Sequence, residues 1–218
     1  MLMKLFYYPG ACSLVPHIAL EEIGAPYEAL KVDFAKGEQL TPEYRLINPA
    51  ARVPALVTGR GVVTEIPAIL GYLARTFPQT GLMAVDDPFE FAEMQSFHMY
   101  IATTLHVLFR QISRPETYVD GELCRAALKA KVPEMSDHYF RVIEERMADG
   151  RPWVHGDRWS ASDIYLYVFS SYLNMGDRGD PAKVPFIWAH RQRVRARPAV
   201  ARALASESAG MVAMQIFD

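Results

Sequence analysis

The turn Gly59-Arg60-Gly61 constrains the fold of this chain more than any other stretch. It joins two apolar runs, "VPALVT" (53–58) and "VVT" (62–64). Three residues cannot carry a crossover back to the start of a parallel strand, so the two runs must be antiparallel neighbours. Upstream the pattern differs. "KLFYY" (4–8) reads as a strand ended by Pro9-Gly10, "SLVPHIALEEIG" (13–24) as a helix, and "YEALKVDF" (27–34) as a second strand. Ser13 is expected to cap that helix and Gly24 to stop it, while Pro16 falls in the first turn, where its missing N–H costs little. A short helical piece (41–46) precedes the hairpin, and "IPAILGYLARTF" (66–77) follows it as a helix with Pro67 near its first position. The order β-α-β-α-β-β-α predicts a small α/β layer with a mixed sheet.

From Pro78 the texture changes. "PQTGLMAVDDP" (78–88) has no periodicity and reads as a linker. Beyond it helices are expected at 89–113, 120–149, 162–175, 183–197 and 198–208, with no strand run and no internal repeat. The expected division is an α/β domain (1–77), a linker (78–88) and an all-helical domain (89–218).

Composition excludes several function classes. The net charge is −2, so nothing global favours nucleic acid or an anionic membrane surface. No apolar run reaches the ~18 residues of a membrane span. Two cysteines, Cys12 and Cys124, are too few for a disulfide framework or a zinc cluster. His98 and His106 lie eight residues apart on one predicted helix and cannot share a metal as an i, i+4 pair could, so no metal site is expected. The apolar start of the chain lacks a basic leader, which makes a cytoplasmic location the expectation.

Three short stretches carry chemistry. Cys12 stands between Pro9-Gly10 and a helix start, where unpaired N–H groups and the helix dipole favour a thiolate; a small buried hydrophobe is the competing reading. In "NPAARVPAL" (48–56), Pro54 opens a strand; were the Val53–Pro54 bond cis, Val53 could turn its main chain outward to pair with an extended peptide. An ordinary trans proline on an edge strand is the alternative. "TEIPAIL" (64–70) sets Glu65 at a helix start, where N–H groups can hold a carboxylate and Glu65 an ammonium, although Glu65 can also merely complement the dipole.

Together "YYPGACSLVPHIALEEIGAPYE", "INPAARVPAL", "TEIPAILGYLA" and "GDRWSASDIYLY" resemble bacterial glutathione transferases, most closely the beta class, over essentially the whole chain. The resemblance implies a thioredoxin-like N-terminal domain, an all-α C-terminal domain and a homodimer. It implies that Cys12 contacts the sulfur of glutathione, with Tyr7 and Ser13 nearby. Val53, ahead of a cis Pro54, would pair with the cysteinyl part of glutathione. Glu65 and Ile66 would bind its γ-glutamyl end, Lys36 or Arg52 its glycine carboxylate, and His106 would border the same site. Ile66-Pro67 departs from the family's Ser or Gly after the glutamate, so Ile66 offers an N–H without a hydroxyl and its branched side chain is expected to guard the pocket. Met99 stands where beta-class relatives can reach across the dimer, and it cannot replace an amide's hydrogen bonds.

Two further motifs read as structural. Ser160 and Asp163 have capping-box spacing before an apolar run, with Trp159 placed as a hydrophobic staple. The arginines at 191, 193, 195 and 197 alternate by two, which spreads them around a helix as a solvated face, not a phosphate track. The expected activity is conjugation of glutathione, as co-substrate, to a small hydrophobic electrophile in a pocket lined by Leu14, Tyr100, His106, Phe109 and Tyr167. Thiol–disulfide exchange through Cys12 is the first alternative, and a non-catalytic carrier of hydrophobic ligands is the second.

Overall fold

The computed structural model describes residues 2–176 and 178–208. It resolves into two compact units, one holding the chain up to Phe91 together with the segment from Ala196, the other Ala92–Arg195.

In the first unit four strands, β1 (Met3–Tyr7), β2 (Tyr27–Lys31), β3 (Ala55–Thr58) and β4 (Gly61–Thr64), form one sheet in the order β2-β1-β3-β4. β1 runs parallel to β2 and antiparallel to β3, and β3 pairs antiparallel with β4. β3 and β4 form the expected antiparallel hairpin, with a turn of two residues, Gly59-Arg60, because Gly61 already pairs with Thr58. α1 (Leu14–Ile23) buries seven consecutive residues, from Leu14 to Leu20, so it is covered on more than one side. It packs against α3 (Ile66–Thr76), and Leu5, Leu56, Ile18, Ile69 and Leu73 are fully buried in that unit. A second cluster gathers Val32, Tyr44 and Val53 with Phe6, Tyr8, Phe34 and Ile47, bringing in α2 (Pro42–Ile47).

The helical unit begins within α4 (Pro88–Tyr100), which continues through a π-helical turn (Ile101–Leu105) into α5 (His106–Ser113). α6 (Glu122–Arg146), α7 (Ala161–Ser170) and α8 (Pro185–Arg195) follow. α9 (Pro198–Ser208), placed by sequence with the helical domain, joins the first unit instead. It lies along α1, held by Arg197–Glu22 and Arg202–Glu21 ion pairs. Helical periodicity reports that α9 has a buried face but not what covers it. Among the described residues no helix is long and apolar enough to cross a membrane.

Ser13 does not cap α1 as expected. It already has helical backbone angles, and its hydroxyl makes no capping bond. Ser160 and Asp163 form the expected capping box, with the Ser160 N–H donating to Asp163 Oδ2 at 2.8 Å. Asp163 does more than close that box. It is fully buried, and its Oδ1 also accepts from the Val154 N–H and from His190 Nε2, each at 2.8 Å. Trp159 packs edge-on against Trp153, with ring centroids 5.0 Å apart. Replacing Asp163 by Ala strands several buried donors at ~1–3 kcal/mol each. The Asp163→Ala variant is therefore expected to lose at least about 3 kcal/mol, a fall in Tm of roughly 6–12 °C for a chain of this size. Calorimetry beside a glutathione titration checks the assignment, because affinity should not change in the folded variant.

Candidate active site

Three loops of the first unit converge on Cys12. The turn leaving β1 takes Gly10 through a left-handed conformation (φ 72°), which a glycine adopts without penalty. Leu14 and Val15 N–H groups then bond back to the carbonyls of Ala11 and Cys12, starting the α1 coil. Ser13 is fully buried, and its hydroxyl donates to the Tyr8 carbonyl and accepts from the Tyr8 N–H, both at 3.1 Å. Expected at the reacting edge, Ser13 instead ties the turn to the end of β1, because both hydrogen-bonding roles of its hydroxyl are spent there.

Cys12 is 8% exposed and its Sγ lies 3.7 Å from the carbonyl oxygen of Val53, so the thiol donates to that carbonyl. Burial first, then the negative charge of Glu65, push the thiol up to about 12. Glu207 adds to this, and the N–H groups of Cys12 and Ser13 act in the opposite direction without offsetting it. The favourable helix terminus foreseen from the sequence is present but loses to burial. Cys12 is a protonated thiol at neutral pH.

The Val53–Pro54 bond is cis, and Val53 stands outside the β3 ladder, which begins at Ala55. The preceding loop is anchored through the Arg52 carbonyl, which accepts from Tyr44 Oη and Asn48 Nδ2, each at 2.7 Å. The Arg52 residue is exposed. Lys36 is exposed too, but pairs with Asp33 at 3.3 Å. Glu65 precedes α3 with φ 66° and ψ 126°, a conformation a non-glycine residue reaches only at a cost of ~1–3 kcal/mol. This places an exposed carboxylate beside the N-terminal N–H groups of α3. Ile66 is only 3% exposed. Its side chain is turned into the core and does not guard a pocket as the sequence suggested.

Tyr7 is buried, with its ring against His17 at 5.1 Å, and burial followed by the charge of Glu207 holds its phenol above the ordinary value. Glu207, on α9, was not anticipated: its Oε2 accepts the Gly10 N–H at 3.0 Å and its Oε1 meets His17 Nδ1 at 2.9 Å. The available signal was an acid at the end of the buried stripe Ala199, Val200, Ala203. His106 belongs to the helical unit, where its ring packs on Phe169 at 5.2 Å. Of the residues expected to line an electrophile pocket, Leu14 and Tyr167 are fully buried and Phe109 nearly so. Tyr167 lies under the Arg191 guanidinium, Phe109 packs on Phe140 and Tyr172, and Tyr100 donates to the Tyr139 carbonyl. Arg191 is likewise buried and does not belong to a solvated arginine face.

Comparison with known proteins places the chain in one family along most of its length. The family model for "Glutathione S-transferase, N-terminal domain" matches residues 1–75, and that for the C-terminal domain matches residues 106–207. The chain is 33% identical to glutathione S-transferase GstA of Escherichia coli O157:H7 over 213 residues, covering 94% of this chain and 98% of that protein. A glutathione transferase homologue from Sulfitobacter, crystallised with bound glutathione, superposes with a TM-score of 0.87 at 35% identity, covering 97% of this chain and 99% of the other. A beta class glutathione S-transferase of Sphingomonas chungbukensis superposes with a TM-score of 0.80 at 31% identity, covering 96% and 100%.

The two thiols should differ sharply in reactivity, since Cys12 is buried and Cys124 exposed. Burial both shields Cys12 from the reagent and holds it as the unreactive thiol, whereas Cys124 is open to solvent. Iodoacetamide at pH 7.5 should therefore alkylate Cys12 about 100-fold more slowly than Cys124, as read by peptide mass spectrometry.

Proposed function

The chain belongs to the glutathione S-transferase family, and from that membership and the site above we propose that it conjugates glutathione, as co-substrate, to small hydrophobic electrophiles. The observation that carries the mechanism is the buried Cys12 thiol with its Sγ 3.7 Å from the Val53 carbonyl oxygen, a burial that keeps the thiol protonated. A thiol held in that state is a hydrogen-bond donor, so the nucleophile is the sulfur of glutathione itself. Cys12 turns its S–H from the Val53 carbonyl to the glutathione thiolate, and the positive end of α1 adds to that stabilisation. The glutathione thiol releases its proton to solvent, the thiolate attacks the electrophilic carbon to form a C–S bond, and the leaving group departs with the electron pair of the carbon bond that breaks. Thiol–disulfide exchange through Cys12 is disfavoured by the same protonation.

The remaining contacts follow the chemistry of an extended peptide. Val53, free of the ladder, offers its main chain to the cysteinyl unit, and Pro54 fixes the direction in which it does so. Glu65 meets the α-ammonium and the Ile66 N–H the carboxylate of the γ-glutamyl end. Arg52 is favoured over Lys36 for the glycine carboxylate, because Asp33 already engages Lys36. Tyr7 and Ser13 support the turn from beneath.

Cys12→Ala should still bind glutathione, while the bound thiol titrates at higher pH by ultraviolet thiolate absorbance. A lost hydrogen bond to a charged sulfur of ~1.5–3 kcal/mol predicts a fall in kcat/KM of roughly 10–100-fold with an aryl halide. Mixed-disulfide reduction that vanishes in Cys12→Ala while conjugation is untouched would reverse the assignment. Wild-type protein that binds no glutathione would end it.

We also propose that the protein is a cytoplasmic homodimer. The family resemblance implies the dimer, and Leu46 on α2 and Phe89 on α4, 87% and 74% exposed, are the large apolar side chains of the first unit it would cover. Sedimentation equilibrium should give twice 24.6 kDa, and Leu46→Glu with Phe89→Glu should shift the mass toward that of the monomer.

A further inference from the structure

The Glu207 carboxylate is fully buried, and its helix is held in place independently of it. Arg197 Nε and Nη2 reach Glu22 at 2.6 and 3.0 Å, Arg202 Nε reaches Glu21 at 2.7 Å, and Ala199, Val200 and Ala203 pack inward. α9 would therefore dock on α1 without a carboxylate at position 207. Burying a carboxylate is costly unless well-placed partners stabilise it. The partners it has are both tied to the thiol. Oε2 accepts the N–H of Gly10, two residues before Cys12, and Oε1 accepts from Nδ1 of His17, one turn into α1. The His17 ring is itself wedged between Tyr7 at 5.1 Å and Tyr27 at 5.8 Å, so it cannot swing away. One rigid carboxylate thus grips both ends of the segment that carries Cys12.

We propose that Glu207 is a positioning residue for the transferase reaction: by holding the Gly10 N–H and His17 together it sets where the Cys12 thiol stands against Val53. This rests on the proposed role of Cys12 as donor to the glutathione sulfur. Glu207 touches no reacting atom. It acts through the left-handed turn at Gly10, a hinge that would otherwise be free to move the thiol away from the Val53 carbonyl.

Two variants separate geometry from bulk stability. Glu207→Gln keeps an acceptor for Gly10, whereas Glu207→Ala removes it. Glu207→Ala should speed iodoacetamide alkylation of Cys12 by about 10-fold at pH 7.5 and raise the KM for glutathione by about 10-fold, with kcat changing less. Glu207→Gln should return both to within about 3-fold of wild type. Hydrogen exchange of the Gly10 amide, read by NMR in wild type and Glu207→Gln, should show protection in both, and it remains decisive even if Glu207→Ala does not fold. An unprotected Gly10 amide in the wild type overturns the proposal. So does a folded Glu207→Ala variant with wild-type alkylation and KM, whatever its Tm. Absence of glutathione binding by the wild type would sink the proposed function alone, because alkylation and amide exchange decide the role of Glu207 without glutathione.

Discussion

The first unit depends on β1. It is the strand with a parallel neighbour on one side and an antiparallel neighbour on the other. Its pairing with β3 in the register Leu5↔Leu56 and Phe6↔Ala55 stops the ladder at Ala55, which leaves Val53 just beyond the last paired residue. The turn that leaves the end of β1 delivers Cys12 to that residue. Both polar arms of the site, a thiol on one loop and a main-chain edge on another, are thus consequences of one strand's register. A one-residue slip would turn Leu5 and Tyr7 out of the core and separate the thiol from Val53.

Among the described residues, each unit holds a fully buried carboxylate that serves more than one donor. Asp163 joins the start of α7 to the Val154 main chain and to His190 on α8, and Glu207 joins α9 to the Gly10 turn and to α1. Neither can be replaced by a hydrophobe without stranding the N–H groups it serves. Such groups bring little net stability but impose a particular docking angle, because a carboxylate has fixed directions of acceptance where apolar contact has none.

Much of the fold was legible because its determinants are local. The hairpin follows from the short turn at Gly59-Arg60, α3 from Pro67 near its start, and the end of α1 from Gly24, which takes left-handed angles. The capping box at Ser160 and Asp163 was legible for the same reason. What escaped is non-local or concerns direction. Nothing in the spacing of α9 says that Arg197, Arg202 and Glu207 find partners nearly two hundred residues earlier. Nor does residue type say that Ser13 turns its hydroxyl back to Tyr8, that Ile66 points inward, or that burial outweighs the helix terminus at Cys12. That Cys12 stands at the start of a helix was readable; the burial that keeps its thiol protonated was not.

The pairing of Gly10 with Glu207 also makes the first unit discontinuous along the chain, since Ala92–Arg195 is threaded between its two pieces. During synthesis, β1 to β4 and every residue proposed to hold glutathione in this unit emerge well before the helix that fastens the Cys12 turn. Domains tend to fold in order as they leave the ribosome, yet here the earliest domain is completed by nearly the last residues described. A nascent chain can therefore have a formed sheet while its thiol turn is still unfastened, and the turn closes only when the helical unit has been made.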